Sequence, residues 1–348
     1  MLSFTLQVVE IRPETPDTVT ICLKQPGLKK IKYLPGQYLT LIFRINGRKY
    51  IRPYSFSSAP GVDAHLEVTV KRVPGGIVSN HIIDFVKAGD QLEVAPPLGD
   101  FVFDATKIDS KKHIILWGAG SGITPLISIA KYILYQHTGH KVRLVYGNRS
   151  AETVIFKDRI TELEQLFPED LKTWHFHTQP QIADNNPAVI EGRISPDKVL
   201  SVLKEETDLQ NTLHFICGPT GLKESVKQKL QQLSVSSEAI YTEDFEIVKN
   251  PADFEDIVTR FVEVIKEGQT HKVEVTKGKS MLEAGLDALL ELDYSCQTGS
   301  CTLCKAKVLS GGIKNIGLDV LPDSLNPDEC LLCCGYPLTD DVQVSVYY

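Results

Sequence analysis

Six of the eight cysteines lie within the last 53 residues, and their spacing is the first feature that could support chemistry. Cys296, Cys301 and Cys304 form a C-x4-C-x2-C loop, and 28 residues separate Cys304 from Cys333. Three thiolates from one tight loop and a fourth from a later segment are the ligand arrangement of a plant-type [2Fe–2S] cluster. The loop reads SCQTGSC, and its small residues are Ser295, Thr298, Gly299 and Ser300. Small side chains let backbone N–H groups approach the sulfurs, and such hydrogen bonds tune the reduction potential.

The fourth ligand has three candidates, because Cys330, Cys333 and Cys334 lie close together in the chain. The segment CLLCCGYP resembles the L-x-C-x-x-Y-P segment of plant-type ferredoxins. Aligning Tyr336-Pro337 with that segment implies that Cys333 is the ligand and that the other two cysteines are spare.

A zinc site is the alternative for the same cysteines. The pairs that begin at Cys301 and Cys330 are both C-x2-C, and they lie about 25 residues apart, near zinc-ribbon spacing. This alternative leaves Cys296 without a role, so the spacing favours the iron–sulfur cluster.

A second motif, RPYSFSS, occupies residues 52–58 in the N-terminal part of the chain. The Arg52 guanidinium suits a phosphate, since it can donate two parallel hydrogen bonds. The Tyr54 ring offers a flat apolar face with a polar handle. Further on, GGIVSN precedes a predicted helix, and backbone N–H groups at a helix N-terminus suit an anion. The sequence predicts that this helix begins after Ser79, with Ser79 or Asn80 as its cap.

These motifs resemble those of the ferredoxin–NADP reductase-type flavoproteins. The resemblance implies that Arg52 pairs with flavin phosphate, Tyr54 stacks on the isoalloxazine ring, Ser55 lies near N5 and Phe56 lies alongside. It implies that the Gly-rich segment binds the flavin pyrophosphate, with Ser79 donating, and this segment favours FAD over FMN. The flavin-site residues are then Arg52, Pro53, Tyr54, Ser55, Phe56, Gly75, Gly76, Ile77, Val78 and Ser79.

A third motif, GAGSGITP, lies between a predicted strand and a predicted helix, which is the context of a pyrophosphate site. It is similar to the G-x-G-x-T-P segment of the same family, which implies contacts with the nicotinamide nucleotide. Later, Cys217-Gly218-Pro219 resembles the family's C-G-P element beside the nicotinamide ring; the alternative is that Cys217 is a small buried apolar residue. The nicotinamide-site residues are then Gly118, Gly120, Gly122, Thr124, Pro125, Cys217, Gly218 and Pro219.

Two further predictions concern the same site. Arg149 and Ser150 follow the second strand of this module, where an acidic residue would favour NAD and an Arg accommodates the 2′-phosphate of NADP. They favour NADPH, with NADH possible, although Arg149 could also be a solvated loop residue or stack on adenine. The resemblance places Glu243 and Phe245 where the family closes over the flavin or shuttles protons. Ser55, Cys217 and Glu243 are the predicted catalytic residues.

The pattern of elements predicts a multidomain protein. Short β-branched stretches separated by Pro and Gly predict a barrel or a sandwich over residues 1–106, and the resemblance implies that it is an antiparallel β-barrel, the FAD-binding domain. Alternating strands and helices predict an α/β doubly wound parallel sheet, the NAD(P)-binding domain, over residues 107–246. Residues 247–257 are the predicted linker. Residues 258–348 are the predicted α+β, β-grasp-like ferredoxin domain.

The formal net charge of −7 gives no general reason to expect nucleic-acid binding. Residues 251–348 contain 16 acids and 8 bases, so the acidity belongs to the C-terminal module. No apolar run approaches the roughly 20 residues of a membrane span, and the N-terminus lacks a signal-peptide pattern. We therefore expect a cytoplasmic protein without stable membrane insertion.

The module order resembles the reductase components of multicomponent oxygenases, including those of phenylacetyl-CoA epoxidases and of desaturases. The resemblance implies an NAD(P)H:acceptor oxidoreductase that passes hydride to FAD and then single electrons, through the cluster, to a partner oxygenase, hydroxylase or desaturase. One alternative is a reductase of a soluble carrier or a hybrid-cluster protein. Another is a non-catalytic redox sensor with a structural zinc.

Overall fold

The structure is a computed structural model that describes residues 2–25, 27, 30–108, 110–180, 189–206, 208–318 and 321–347. Its backbone contacts divide the chain into two units. The larger unit contains residues 2–43 and 54–244, and the smaller unit contains residues 44–53 and 245–348. None of the helices in the described ranges has the length and apolar character needed to cross a bilayer.

The first six strands form one sheet in the order β4-β3-β6-β1-β2-β5. The β1–β2, β1–β6, β2–β5 and β3–β6 pairs are antiparallel. Phe56, which directly follows β4, forms an antiparallel bridge with Val68 of β5. This bridge joins the two ends of the strand order. The predicted antiparallel fold is confirmed. Its elements are β1 (Phe4–Thr15), β2 (Thr18–Leu23), β3 (Tyr38–Ile45), β4 (Arg48–Ser55), β5 (Leu66–Lys71), α1 (Ile77–Phe85) and β6 (Gln91–Leu98).

The second sheet is parallel throughout, in the order β10-β9-β8-β7-β11-β12. One apolar cluster packs α2 and α3 on one side, and another packs α4 and α5 on the other. The predicted doubly wound fold is confirmed. The strand order reverses between β7 and β11, where open α/β sheets bind ligands beyond the carboxyl ends of their strands. The elements are β7 (His113–Ala119), α2 (Ile123–Tyr135), β8 (Lys141–Asn148), α3 (Lys157–Leu166), β9 (Leu171–His177), β10 (Val189–Glu191), α4 (Pro196–Leu203), β11 (Thr212–Cys217), α5 (Thr220–Gln232) and β12 (Ile240–Glu243).

The C-terminal part combines a mixed five-stranded sheet, β14-β13-β19-β15-β17, with a two-stranded sheet, β16-β18. The helix α6 begins with a capping box in which the Ser280 hydroxyl accepts from the Glu283 N–H and the Glu283 carboxylate accepts from the Ser280 N–H. The α+β ferredoxin fold is confirmed. The elements are β13 (Arg260–Lys266), β14 (Gln269–Val275), α6 (Met281–Asp287), β15 (Lys305–Ser310), β16 (Ile313–Asn315), β17 (Glu329–Leu331), β18 (Gly335–Pro337) and β19 (Gln343–Val346).

The predicted linker, residues 247–257, packs against the ferredoxin fold. A Cβ built on Gly317 would lie 1.9 Å from the Ile247 Cγ2, so only glycine allows this approach. The Phe254 ring meets the Tyr336 ring edge-on, with 5.2 Å between their centroids. The C-terminal segment of the smaller unit begins at Phe245, and burial of these apolar side chains holds residues 247–257 against the ferredoxin fold.

A buried ion pair joins helix α2 to the barrel within the larger unit. The Lys131 Nζ lies 2.7 Å from the Asp63 Oδ2 and 3.8 Å from the Glu67 Oε2, and only 3% of the Lys131 side chain is exposed. One turn earlier, the Ser128 hydroxyl donates to the Ser58 carbonyl at 2.6 Å. These contacts attach α2 to the last residue of the RPYSFSS motif and to the segment that follows it.

Lys131→Met should destabilise the larger unit by about 3 kcal/mol, because it leaves the largely buried Asp63 carboxylate without its cation. The measurement is urea-induced unfolding of the holoprotein. Lys107→Met is the matched control, since Lys107 is 78% exposed and pairs with Asp104 at 3.8 Å. Equal unfolding midpoints for the two variants would contradict the importance of the buried pair.

Candidate functional site

The four predicted ligand cysteines form two pairs. In the first pair, the Cys296 N–H donates to the Cys301 Sγ at 3.5 Å, and the Cys301 N–H donates to the Cys296 Sγ at 3.4 Å. In the second pair, the neighbouring Cys333 side chain contributes most to raising the Cys304 pKa. Within the described ranges, no three His, Cys, Asp or Glu side chains converge on one metal position. Two pairs suit a binuclear cluster whose four ligands are shared between two irons.

The backbone of the ligand loop directs the N–H groups of Thr298 and Cys301 toward the Cys296 sulfur. Gln297, Gly299 and Thr302 have positive φ angles of 58°, 85° and 56°, so the loop curls around its own sulfurs. The Cys301 thiol, followed by the N–H groups of Cys301 and Thr298, lowers the Cys296 pKa to about 4. A thiolate is the metal-binding form of cysteine, so the Cys296 position suits a metal ligand.

The two spare cysteines are also buried. Cys330 lies on β17 opposite Ala306 of β15, and burial raises its pKa to about 12. The Cys334 Sγ lies 3.4 Å from the Cys333 Sγ. Of the three fourth-ligand candidates, Cys333 is the one whose side chain contributes most to raising the Cys304 pKa.

Strand β4 carries the flavin motif. Arg52 and Tyr54 are half-buried and point to the same side of the strand, because side chains alternate along it. Pro53 and Ser55 alternate with them, and Ser55 is buried. The prediction that the Phe56 ring lies alongside a flavin is wrong for the side chain. Phe56 is fully buried and stacks on Tyr33 with 4.0 Å between ring centroids, because it faces the barrel interior.

Helix α1 begins at Ile77, with Gly76 as its N-cap, so the predicted cap at Ser79 or Asn80 is wrong. Both side chains instead fold back onto the preceding turn. The Ser79 hydroxyl accepts from the Val73 N–H at 3.1 Å, and the Asn80 amide donates to the Val73 carbonyl at 3.0 Å and to the Gly76 carbonyl. These bonds hold the Gly-rich turn against the first turn of α1.

The front of this turn fits an anion. Gly75 has a φ of +72°, and a Cβ built on it would meet no atom within 4 Å. Ile77 is exposed, Val78 is buried, and no acidic side chain lies in the first turn of α1. The first N–H groups of a helix have no partner within it, so they are available to a pyrophosphate.

The nucleotide turn lies at the carboxyl end of β7, where Gly120–Gly122 form a 3-10 turn that leads into α2. A Cβ on Gly122 would lie 2.1 Å from the Cys217 carbonyl oxygen, so the close packing of the turn on β11 requires glycine. Gly120 has a φ of +55° with no atom near its Cβ position, and the Tyr146 hydroxyl donates to its carbonyl at 2.9 Å. The side of the turn that faces β11 is therefore tightly packed, and the side at Gly120 is open.

The remaining residues of the motif support this geometry. A Cβ on Gly118 would lie 2.9 Å from the Leu126 Cδ1, so this glycine allows close packing of β7 on α2. Thr124 is buried, and its hydroxyl donates to the Ser121 carbonyl at 3.0 Å. Pro125 is buried in the first turn of α2.

The C-G-P element lies beside this turn, since Cys217 of β11 is in register with Gly118 of β7. Burial, and then the nearby carboxylates of Glu243 and Asp244, raise the Cys217 pKa well above its ordinary value. Glu243 is in register with Cys217 from the other side, on β12. The structure thus brings Cys217, Gly218 and Glu243 together at the crevice, and it keeps Cys217 as a neutral thiol.

Four other predicted site residues follow the ends of strands β8, β11 and β12. Arg149 is exposed after β8. Ser150 caps the 3-10 turn Ala151–Thr153, with its N–H donating to the Thr153 hydroxyl at 3.1 Å. Phe245 belongs to the smaller unit and is 47% exposed. Pro219 is exposed at the start of α5.

Sequence reasoning missed the residues that support the site from behind. Tyr146, Ser128 and Lys131 carry no motif, and their positions are those of ordinary strand and helix residues. Lys131 gave one signal, because it is a charged residue within the otherwise apolar stretch PLISIAKYIL, where a buried lysine requires a partner. The partner itself could not be read from the sequence.

Three family models match successive parts of the chain. They describe an oxidoreductase FAD-binding domain at residues 5–103, an oxidoreductase NAD-binding domain at residues 116–228 and a 2Fe-2S iron-sulfur cluster binding domain at residues 264–338. Together with the crevice and the paired thiols, these matches define an NAD(P)H-dependent oxidoreductase that uses FAD and a [2Fe–2S] cluster.

The most informative relatives cover nearly the whole chain. A 3-ketosteroid-9-alpha-monooxygenase ferredoxin reductase component from Rhodococcus rhodochrous is 31% identical over 99% of this chain and 97% of its own length. One of the subunits of the 1,2-phenylacetyl-CoA epoxidase of Escherichia coli is 29% identical over 98% of this chain and 97% of its own length. Phthalate dioxygenase reductase shares the fold, with a TM-score of 0.69 at 24% identity over 99% of this chain and 98% of its own. The chain belongs to the ferredoxin–NADP reductase-type flavoproteins with a C-terminal [2Fe–2S] ferredoxin domain.

Gly122→Ala should slow reduction of the bound flavin by NADPH on the order of 100-fold, because the added Cβ displaces the turn from Cys217. The measurement is stopped-flow flavin absorbance. Gly221→Ala is the matched control, since no atom lies within 4 Å of its Cβ position. Dithionite should reduce both variants normally, and an unchanged NADPH rate in Gly122→Ala would contradict the close approach.

Proposed function

We propose that this chain is the reductase component of a multicomponent oxygenase and that its electrons leave through the ferredoxin domain to a separate oxygenase protein. The observation that carries the proposal is the full-length similarity to the reductase component of a monooxygenase and to a subunit of an epoxidase. When bound, the flavin supplies a two-electron acceptor for hydride and the cluster supplies a one-electron carrier. A chain that holds both suits an acceptor that takes electrons singly.

The flavin roles follow from strand β4 and the turn before α1. Arg52 binds flavin phosphate, Tyr54 stacks on the ring, and Ser55 hydrogen-bonds N5. The Gly-rich segment Gly75–Ser79 contributes N–H groups to the pyrophosphate of FAD. Half-burial of Arg52 and Tyr54 and the open space in front of Gly75 support these roles.

The nicotinamide roles follow from the crevice between β7 and β11. The turn Gly118–Gly122, with Thr124 and Pro125, binds the nucleotide pyrophosphate and ribose. Cys217 and Gly218-Pro219 position the nicotinamide ring, and Glu243 shuttles protons at the edge of the crevice. Because Cys217 is a buried neutral thiol, it acts by shape and not as a nucleophile.

Cys296, Cys301, Cys304 and Cys333 hold the cluster. We place the protein in the cytoplasm, where free thiols persist in the reduced form that binds iron. The domain bounds we propose are 1–106 for the FAD-binding barrel, 107–246 for the NAD(P)-binding domain and 258–348 for the ferredoxin domain, with 247–257 connecting them.

Cys333→Ser should abolish electron delivery to the partner oxygenase and leave NADPH-dependent ferricyanide reduction within about twofold, because the dye takes electrons from the flavin directly. The measurements are the visible and EPR bands of the cluster and both steady-state activities. Cys330→Ser is the control and should retain the cluster. If dye reduction disappeared as well, the linear order from flavin to cluster would be wrong.

We propose NADPH as the donor, because Arg149 is exposed at the carboxyl end of β8. Arg149→Ala should raise the KM for NADPH about tenfold and leave the KM for NADH nearly unchanged, since a guanidinium recognises the 2′-phosphate that only NADPH carries. Steady-state kinetics with both nucleotides provides the test. An equal loss for NADH and NADPH would exclude this role for Arg149.

A further inference from the structure

A third sulfur lies against the second ligand pair. Cys334 is fully buried directly before β18, and its Sγ lies 3.4 Å from the Sγ of Cys333. The proposed function gives this side chain no role. The distance is within hydrogen-bonding range for sulfur, so the two neighbouring thiols contact each other directly.

The same sulfur also touches the ligand loop. A Cβ built on Gly299 would lie 3.1 Å from the Cys334 Sγ, so the bare backbone of this glycine packs onto the sulfur. Gly299 lies between the ligands Cys296 and Cys301. Cys334 therefore lies between the two segments that supply the cluster ligands.

The backbone holds Cys334 in this position from both sides. Its N–H donates to the Leu331 carbonyl at 3.1 Å, and its carbonyl accepts from the Ile316 N–H at 2.9 Å. A side chain anchored in this way and enclosed by neighbours cannot turn away from Cys333 without disrupting the packing.

The direction of the sulfur–sulfur hydrogen bond follows from the chemistry of the ligand. Cys333 must be a thiolate to bind iron, and a thiolate has no proton to donate. The proton therefore belongs to Cys334, whose S–H donates to the Cys333 sulfur.

We propose that Cys334 is a positioning residue that donates an S–H···S hydrogen bond to the Cys333 ligand and raises the reduction potential of the cluster. The inference rests on the proposed role of Cys333. Reduction adds one negative charge to the cluster and its sulfurs, and a donor to a ligand sulfur stabilises that charge. Removing the donor should therefore make the cluster harder to reduce.

The test compares three variants of the full-length holoprotein. Cys334→Ala removes the donor, Cys334→Ser keeps a hydroxyl donor in nearly the same volume, and Cys330→Ala removes a buried thiol of the same segment. For each, iron and sulfide content, the EPR spectrum and the midpoint potential from a dye-mediated titration are measured.

The expected result is a full cluster in all three variants. The midpoint potential should shift to more negative values in Cys334→Ala, return toward the wild-type value in Cys334→Ser and stay unchanged in Cys330→Ala. Equal potentials in the wild type and Cys334→Ala, or equal shifts in the Ala and Ser variants, would overturn the proposal. Loss of the cluster in Cys334→Ala with retention in Cys333→Ser would overturn both the proposal and the ligand assignment.

Discussion

The buried ion pair of Lys131 with Asp63 and Glu67 is the contact on which the arrangement of the larger unit depends. It lies on α2, the helix whose N-terminus forms the nucleotide turn. Together with the Ser128–Ser58 hydrogen bond, it attaches that helix to the last residue of the RPYSFSS motif and to the chain that follows it. A charge removed from water tolerates few alternative geometries, because any other position would leave it unpaired. One helix therefore fixes the nucleotide turn and the flavin-binding barrel relative to each other.

Close backbone approach is the second recurring constraint. The nucleotide turn packs on β11 only because Gly122 has no Cβ, and a Cβ on Gly299 of the ligand loop would lie 2.5 Å from the Leu318 Cδ2 and 3.1 Å from the Cys334 Sγ. In both places the backbone faces a carbonyl or a sulfur on one side and a ligand position on the other. N–H groups held in this way need no rearrangement when an anion or a cluster binds, which is the advantage of a preformed site.

Much of the site could be predicted because its chemistry requires particular residue types at short spacing. The cysteine loop, the RPYSFSS motif and the GAGSGITP turn each lie within about ten residues, so local spacing describes them. The predictions that were wrong concern where side chains point and which groups they bond. Phe56 follows Ser55 on the strand, but its ring faces the barrel interior and not a cofactor. Helix α1 begins two residues before the predicted cap, because Ser79 and Asn80 bond the preceding turn.

The sequence by itself determined the three kinds of module and their order, and it supplied the candidate residues for binding FAD, nicotinamide nucleotide and iron. Tertiary structure decided which distant residues meet. It paired Cys304 with Cys333, placed Cys217 between the nucleotide turn and Glu243, and joined Lys131 to two acids more than 60 residues earlier. It also packed the predicted linker onto Tyr336 and Gly317. Spacing along the chain reports local geometry, whereas these contacts depend on sheet order and packing between elements, which no short segment encodes.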